Sequence, residues 1–577
     1  MAGSPNTALN GRNLDRMVHA AFGRLTQGLS PAALTLAYLD WLLHLSIYPG
    51  RQARLIEKAL RKAYRLARFA SRAASDPTPC IEPLPQDQRF ADPSWQQWPF
   101  NLIYQGFLLT QQWWHSAATD VHGVTRHHQD LVTFATRQWL DMFSPSNFLA
   151  TNPEVLRTTF AEGGMNLVVG AQNFVNDWLQ AATGAKPERG TLFKVGKDVA
   201  VTPGKVVFRN RLIELIQYSP TTQDVYPEPL LIVPSWIMKY YILDLSPHNS
   251  LVSYLVGQGH TVFMISWKNP GPDDRELGLN DYLKLGPLAA LDVVSGICPK
   301  VGINAVGYCL GGTLLSIAAA KLARDSDTRL NCVSLLAAET DFEEPGELRL
   351  FIDEGELAYL EDIMWDQGYL DGKQMGGSFA LLNSRDLVWS RMVHDYLMGV
   401  RQSPNDLMAW NADTTRMPYR MHTEYLKSLY LNNDLAHGAY RVDGRPVALT
   451  DIRAPLFVVG TVKDHVSPWS SVYKIHLLTD TEVTFLLTSG GHNAGIVSEP
   501  GHPGRTYQMT TRGAQDKYVD PDTWLAATPK QNGSWWPAWQ QWLAQHSGKR
   551  TPPPAMGAPE RGCPPTDDAP GTYVLAP

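Results

Sequence analysis

The hexapeptide Gly307-Tyr308-Cys309-Leu310-Gly311-Gly312 constrains this chain more than any other stretch. Before it, Val301 to Val306 is a short apolar run that predicts a buried strand; after it, Thr313 to Arg324 is apolar and alanine-rich and predicts a helix. A strand, a sharp turn bearing a reactive side chain and a helix make a nucleophile elbow. Small residues flank the reactive one because the strained backbone passes close to its neighbours. Here a cysteine stands where serine is usual, which predicts covalent acyl chemistry on the Cys309 thiol. The competing use of such a residue is as a small buried thiol in a glycine-rich turn.

An elbow requires a carboxylate and then a histidine, each in a loop after a later strand. Asp464 follows the apolar run Leu456 to Val459, and His492 follows Val483 to Leu487 within Ser489-Gly490-Gly491-His492-Asn493-Ala494-Gly495. Glycines around His492 favour an irregular loop that can aim the imidazole at the thiol, and the acid orients that imidazole and stabilises its protonated form. An oxyanion hole is expected from the backbone N–H of Leu310 together with one from a loop after an early strand. The candidate there is the N–H of Ile237, in Val233-Pro234-Ser235-Trp236-Ile237. Trp236 has the alternative use of capping the core.

Leu230 to Val233, Thr261 to Ser266, Val301 to Val306, Val333 to Leu336, Leu456 to Val459 and Val483 to Leu487 each suit a buried parallel strand, and helical stretches alternate with them. The expected fold is α/β, of the α/β-hydrolase kind: a doubly wound, mostly parallel sheet. Residues 1–190 read as a separate α-rich N-terminal domain, 191–548 as the catalytic domain with a helical cap over 342–441, and 549–577 as an irregular C-terminal tail. Within the first region Arg51 to Ser75 carries eight Lys/Arg against one acid, with Leu55, Ile56, Leu60 and Phe69 interleaved. Such a helix suits an anionic or amphiphilic surface, or presents a solvated basic face. The 18 tryptophans, many in the first and last quarters, are read as aromatic core packing.

A net charge of -6 with 18% charged residues gives no footprint for nucleic acid. Five cysteines without CxxC or Cys/His spacing argue against a disulfide framework and a metal site, and fit a reducing cytoplasm. The N-terminus lacks a secretory pattern, and nowhere do about 18 apolar residues run together, so no transmembrane segment is expected.

At these residues the chain resembles the polyhydroxyalkanoate synthases, bacterial enzymes that polymerise (R)-3-hydroxyacyl-CoA. The resemblance is carried by Arg89-Phe90-Ala91-Asp92-Pro93-Ser94-Trp95, Ser146 to Leu156, Lys239 to Leu245, Gly259 to Phe263 with Ser266-Trp267, Asp386-Leu387-Val388-Trp389, Asp464 to Trp469, Gly533-Ser534-Trp535-Trp536-Pro537 and Ala569 to Val574. It implies that Cys309 accepts the acyl group, that His492 is the general base and that Asp464 assists the histidine or the hydroxyl. It also implies a homodimer on polyester granules in the cytoplasm, with no metal or organic cofactor. Ser235 and Met238 depart from the family's usual early loop, and Gly490 and Asn493 from its usual histidine loop. A thioesterase or polyester hydrolase of the same fold, and a weakly active granule-associated paralogue, are the alternatives.

Overall fold

The structure, a computed structural model, describes residues 30–576 apart from 77, 85–86, 184–192, 373, 375–384 and 402. The N-terminal stretch before Ser30 lies outside the described residues. The described residues fall into two compact units, one within Leu25–Pro187 and Gly376–Ser403, the other within Glu188–Met375 and Pro404–Pro577.

The second unit is built on one ten-stranded sheet. Its strands are β1 (Gly204–Arg209), β2 (Ile213–Tyr218), β3 (Leu230–Val233), β4 (Val262–Trp267), β5 (Ile303–Tyr308), β6 (Leu330–Leu336), β7 (Leu456–Thr461), β8 (Val483–Thr488), β9 (Thr506–Arg512) and β10 (Gln531–Asn532). In space they run β1-β2-β4-β3-β5-β6-β7-β8-β9-β10. The stretch from β4 to β8 is parallel throughout, while β1 and β2 on one side and β9 and β10 on the other are antiparallel. β3, β4, β5, β7 and β8 are buried along their whole length. Burial on both faces is why they read as unbroken apolar runs.

The C-terminal segment has little regular structure, yet it is tied to the sheet. The N–H of Val206 donates to Asp567 O at 2.9 Å, that of Thr566 to Val206 O at 2.8 Å and that of Ala569 to Gly204 O at 3.0 Å, so the chain covers the outer edge of β1. Glu214, fully buried on β2, accepts from the N–H groups of Thr572 and Tyr573, both at 2.9 Å. An edge strand so covered has no open ladder to offer another chain.

The helical unit contains α1 (Pro31–Ile47), α2 (Pro49–Ala70), α3 (Phe100–Ala118) and α4 (Arg126–Met142). Ser30 caps α1 through Ala33 N–H, and Pro31 fits its first turn because that position needs no N–H donor. The Nε1–H of Trp41 donates to Ala117 O at 3.0 Å and that of Trp113 to Leu55 O at 2.9 Å, which ties α1 and α2 to α3. Within the basic stretch, Leu55 and Phe69 are buried whereas Ile56 and Leu60 stand 62% and 66% exposed. The side chains of Asn166 and Asn173 donate to the carbonyls of Leu397 and Asp395, so part of the stretch read as a cap groups with this unit.

Candidate active site

Cys309 joins β5 to the helix α5 (Leu310–Arg324), with φ 53° and ψ -128°. That conformation costs a residue with a side chain about 1–3 kcal/mol and persists only where the surroundings over-determine it. The surroundings do so here. The N–H of Cys309 donates to Leu336 O at 2.9 Å, and its carbonyl accepts from Gly312 at 2.8 Å. A Cβ on Gly307 would come 2.3 Å from the Cα of Gly312, one on Gly311 2.1 Å from Val233 O, and one on Gly312 2.4 Å from the Cβ of Ala338. The glycines of the hexapeptide are thus required by contacts with β3, β6 and each other. Cys309 itself is 9% exposed.

Asp464 lies three residues beyond the end of β7, in a turn that points hydrogen-bond donors at its carboxylate. Oδ1 accepts from the N–H groups of Val466 and Ser467 at 2.9 and 2.8 Å; Oδ2 accepts from Thr461 Oγ1 at 2.9 Å and lies 2.8 Å from His492 Nδ1. Burial alone would raise this carboxyl, but the His492 charge and these donors hold it below the ordinary carboxylate range. His492, in the loop after β8, is hydrogen-bonded to Asp464 through Nδ1, and Cys309 acts on it electrostatically. Burial opposes its protonated form, but the charges of Asp464 and Cys309 outweigh it, so the imidazole keeps its proton well above its usual range. The structure brings Cys309, His492 and Asp464 together, with His492 hydrogen-bonded to Asp464 and within the electrostatic influence of Cys309.

The histidine loop is fixed from below. Gly490 has φ 110°, the N–H of Gly495 donates to Gly491 O at 2.7 Å, and the indole N–H groups of Trp535 and Trp536 donate to the carbonyls of Gly495 and Ile496, both at 3.0 Å. Trp535, Trp536 and Trp539 are fully buried beneath it. The aromatic run near the C-terminus is therefore core, and core that carries the histidine loop.

The N–H groups of Leu310 and Ile237 make no hydrogen bond to another group among the described residues. Leu310 opens α5, where the first N–H groups have no partner within the helix. Ile237 lies in the loop after β3 whose carbonyls press on Gly311, and its own carbonyl accepts from Thr415 N–H at 3.2 Å. Trp236 is 1% exposed, against the rings of Tyr282 and Tyr425.

Sequence reasoning gave no role at the site to five further residues, Tyr308, Asn493, Tyr425, Tyr430 and Glu339. The Tyr308 hydroxyl donates to Asn493 Oδ1 at 2.6 Å, joining the elbow to the histidine loop. Both residues adjoin the predicted nucleophile and base, and that adjacency was the available signal. Tyr425 and Tyr430, whose hydroxyls are 3.1 Å apart, are pushed above the usual phenol range by burial and stand within the electrostatic reach of Cys309. Glu339, just after β6, is 3% exposed. Burial, then the charges of Asp464 and Cys309, push its carboxyl well above the ordinary range, with His492 acting the other way. Among the described residues no group of His, Cys, Asp and Glu could hold a metal ion, and no helix is long and apolar enough to cross a membrane.

A mostly parallel sheet with a cysteine elbow after β5, an acid after β7 and a histidine after β8 places the molecule in the α/β-hydrolase class, and residues 228–498 match the α/β hydrolase fold. Residues 86–255 match the poly-beta-hydroxybutyrate polymerase (PhaC) N-terminus and residues 10–51 the poly-beta-hydroxybutyrate polymerase N terminal region. The chain is 41% identical to the poly(3-hydroxyalkanoate) polymerase of Methylorubrum extorquens, over 90% of its own length and 87% of that protein. It is 36% identical to the poly(3-hydroxyalkanoate) polymerase subunit PhaC of Cupriavidus necator, over 96% and 93% respectively. The chain belongs to the poly(3-hydroxyalkanoate) polymerase family.

Proposed function

We propose that this protein is an acyltransferase that polymerises 3-hydroxyacyl-CoA with release of CoA, through an acyl thioester on Cys309. The observation that carries the mechanism is the grouping of Cys309, His492 and Asp464 at the elbow of a member of this family. A thiolate is the reactive form of cysteine, and the neighbouring imidazolium stabilises it. Cys309 Sγ attacks the thioester carbonyl, the carbonyl oxygen takes up negative charge facing the N–H groups of Leu310 and Ile237, and the CoA thiolate leaves with the proton of His492. Because one thioester replaces another, loading is nearly isoenergetic and the acyl group stays activated, which an ester on serine would not allow.

In the second half-reaction neutral His492 takes the proton of an incoming 3-hydroxyl while its oxygen attacks the acyl-cysteine. The ester forms, the Cys309 thiolate departs, and the imidazolium–thiolate pair is restored. Asp464 holds the imidazole by Nδ1 in both halves. Purified protein given 3-hydroxybutyryl-CoA is expected to release CoA and yield polymer. Free 3-hydroxybutyrate in place of polymer would make it a thioesterase, and no CoA release would make it a silent paralogue.

The exposed side chains of Ile56, Leu60 and Tyr64 on α2, flanked by the exposed Arg61, Arg65 and Arg68, support a place at the boundary between polyester granule and water. Serine at positions 56 and 60 is expected to lower granule association severalfold while CoA release is kept; unchanged association would remove α2 from that role.

A further inference from the structure

Glu339 is held at the active site by its backbone and left unsatisfied by its side chain. Its carbonyl accepts from Thr313 Oγ1 at 2.7 Å, in the first turn of α5, and its neighbour Ala338 packs on Gly312. It therefore follows β6 at the same end of the sheet at which Cys309 follows β5. Glu339 is 3% exposed; its side chain makes no hydrogen bond to any described residue, and its Oε1 is buried without a partner. The groups that act on it electrostatically are Asp464, Cys309, His492 and Asp341, and it in turn acts on Tyr425 and Tyr430.

A buried carboxyl with no donor to stabilise its charge keeps its proton. It then offers an O–H donor and a carbonyl acceptor on one group. Most polar groups so buried in native proteins have partners, and one without a partner in the protein is open to a bound water or a ligand group. Of the parts of a 3-hydroxyacyl thioester, the carbonyl is served by N–H donors, the CoA phosphates call for cations, and the alkyl chain needs no polar partner. Within the acyl group itself the 3-hydroxyl alone is neutral and both donor and acceptor, and it lies two carbons from the carbon that bonds to Sγ, nearer the thiol than the amides and hydroxyl of the CoA arm.

Resting on the polymerase reading above, we infer that the carboxyl of Glu339 binds the 3-hydroxyl of the acyl group presented to Cys309 and so selects 3-hydroxyacyl thioesters over plain acyl thioesters. A site built to hydrogen-bond a hydroxyl rejects the analogue that lacks it, because its buried polar group is then left unpaired.

The test compares acylation of Cys309 by 3-hydroxybutyryl-CoA and by butyryl-CoA, with rapid mixing and detection of the acylated protein by mass. The unaltered enzyme is expected to prefer the hydroxylated thioester, and Glu339→Leu to lower that preference at least about tenfold, equivalent to about 1.4 kcal/mol. Glu339→Gln, whose amide again offers a donor and an acceptor, is expected to restore most of it. Glu339→Ala gives the same comparison with no added branch to accommodate. Equal losses toward both thioesters in Glu339→Leu and Glu339→Ala would reduce Glu339 to a structural residue, and an undiminished preference would overturn the inference while the polymerase reading stands. An unaltered enzyme that takes neither thioester overturns both.

Discussion

The loops after β6 and β7 each bring a buried carboxyl to the same thiol–imidazole pair, and they treat it in opposite ways. The loop after β7 gives Asp464 two backbone N–H groups, a hydroxyl and an imidazole, and its carboxyl is ionised in spite of complete side-chain burial. The loop after β6 gives Glu339 no donor among the described residues, and burial keeps it protonated. Burial raises both carboxyls alike; the His492 charge and the donors are what set Asp464 apart. The same difference divides their roles, since an anion can steady an imidazolium and a neutral acid can hold a hydroxyl.

The largest effects are expected where the comparison has its common centre. Cys309→Ala removes the proposed nucleophile, so acylation and CoA release are expected to vanish while the fold is kept, as judged by circular dichroism. Turnover by that variant would place the nucleophile elsewhere. His492→Ala is expected to lose at least about a hundredfold in CoA release, the usual scale for a positioned base. Next comes Asp464→Asn, which keeps the shape and removes the charge. The imidazole of His492 then loses a principal cause of its raised pKa. Both acylation and elongation should slow by about a hundredfold, because both use the imidazole. If that variant loads one acyl group at the normal rate and then stalls, Asp464 serves the hydroxyl rather than the histidine. If Glu339→Gln is as damaging as Asp464→Asn, the two loops do not differ in the way described.

Asp464 and Glu339 also show what could and could not be read before the fold was seen. Asp464 was legible because it stands after an apolar run, in the order cysteine, acid, histidine that the elbow imposes. Glu339 follows an equally good apolar run, but a glutamate at the end of a strand reads as the point where the chain reaches solvent. Thr313, which bonds its carbonyl, and Tyr425 and Tyr430, on which it acts electrostatically, are distant in sequence. The parallel strands were legible because they are buried on both faces. β1 and β2 were not singled out, and β9, with its half-exposed TYQMTTR, has no apolar run to find. The support of the histidine loop by Trp535 and Trp536 is a contact across 40 residues of sequence, visible only as an aromatic cluster near the end of the chain. The segment after Gly548 has a loop composition, and its attachment to β1 comes from backbone bonds that composition does not encode.

A smaller effect separates the two carboxyls by pH. Glu339 has a folded pKa above its unfolded value near 4.5, so its contribution to stability is fully present below that value and is lost as pH rises toward the folded pKa. Asp464 has a lowered folded pKa, so its contribution is present above its unfolded value near 3.8 and is lost as pH falls through the folded one. Glu339→Gln is therefore expected to gain stability relative to the unaltered protein as pH rises from 5 to 8, by at most about 1.4 kcal/mol per pH unit. Thermal midpoints measured across that range check it. A difference that does not change with pH would mean that Glu339 is ionised in the folded protein.

The smallest effect expected belongs to Thr461, and it sharpens the argument that donors help set the charge. Thr461 is fully buried at the end of β7, its methyl group packs on Gly495 of the histidine loop, and its hydroxyl donates to the same Asp464 oxygen that His492 touches. Thr461→Val keeps the methyl contact and removes that one donor. Asp464 is left with Val466, Ser467 and His492, so it stays ionised at neutral pH and the triad geometry survives. One hydrogen bond to a charged group contributes on the order of 1.5–3 kcal/mol to a fold. Only the part that differs between ground state and transition state enters the rate, so a loss of about threefold to tenfold in acylation is expected. The acid limb of the pH–rate profile should move to higher pH, because the carboxyl of Asp464 is then easier to protonate. A loss as large as that of Asp464→Asn would show that Thr461 alone keeps the carboxylate charged; an unmoved acid limb would show that the hydroxyl has no part in it.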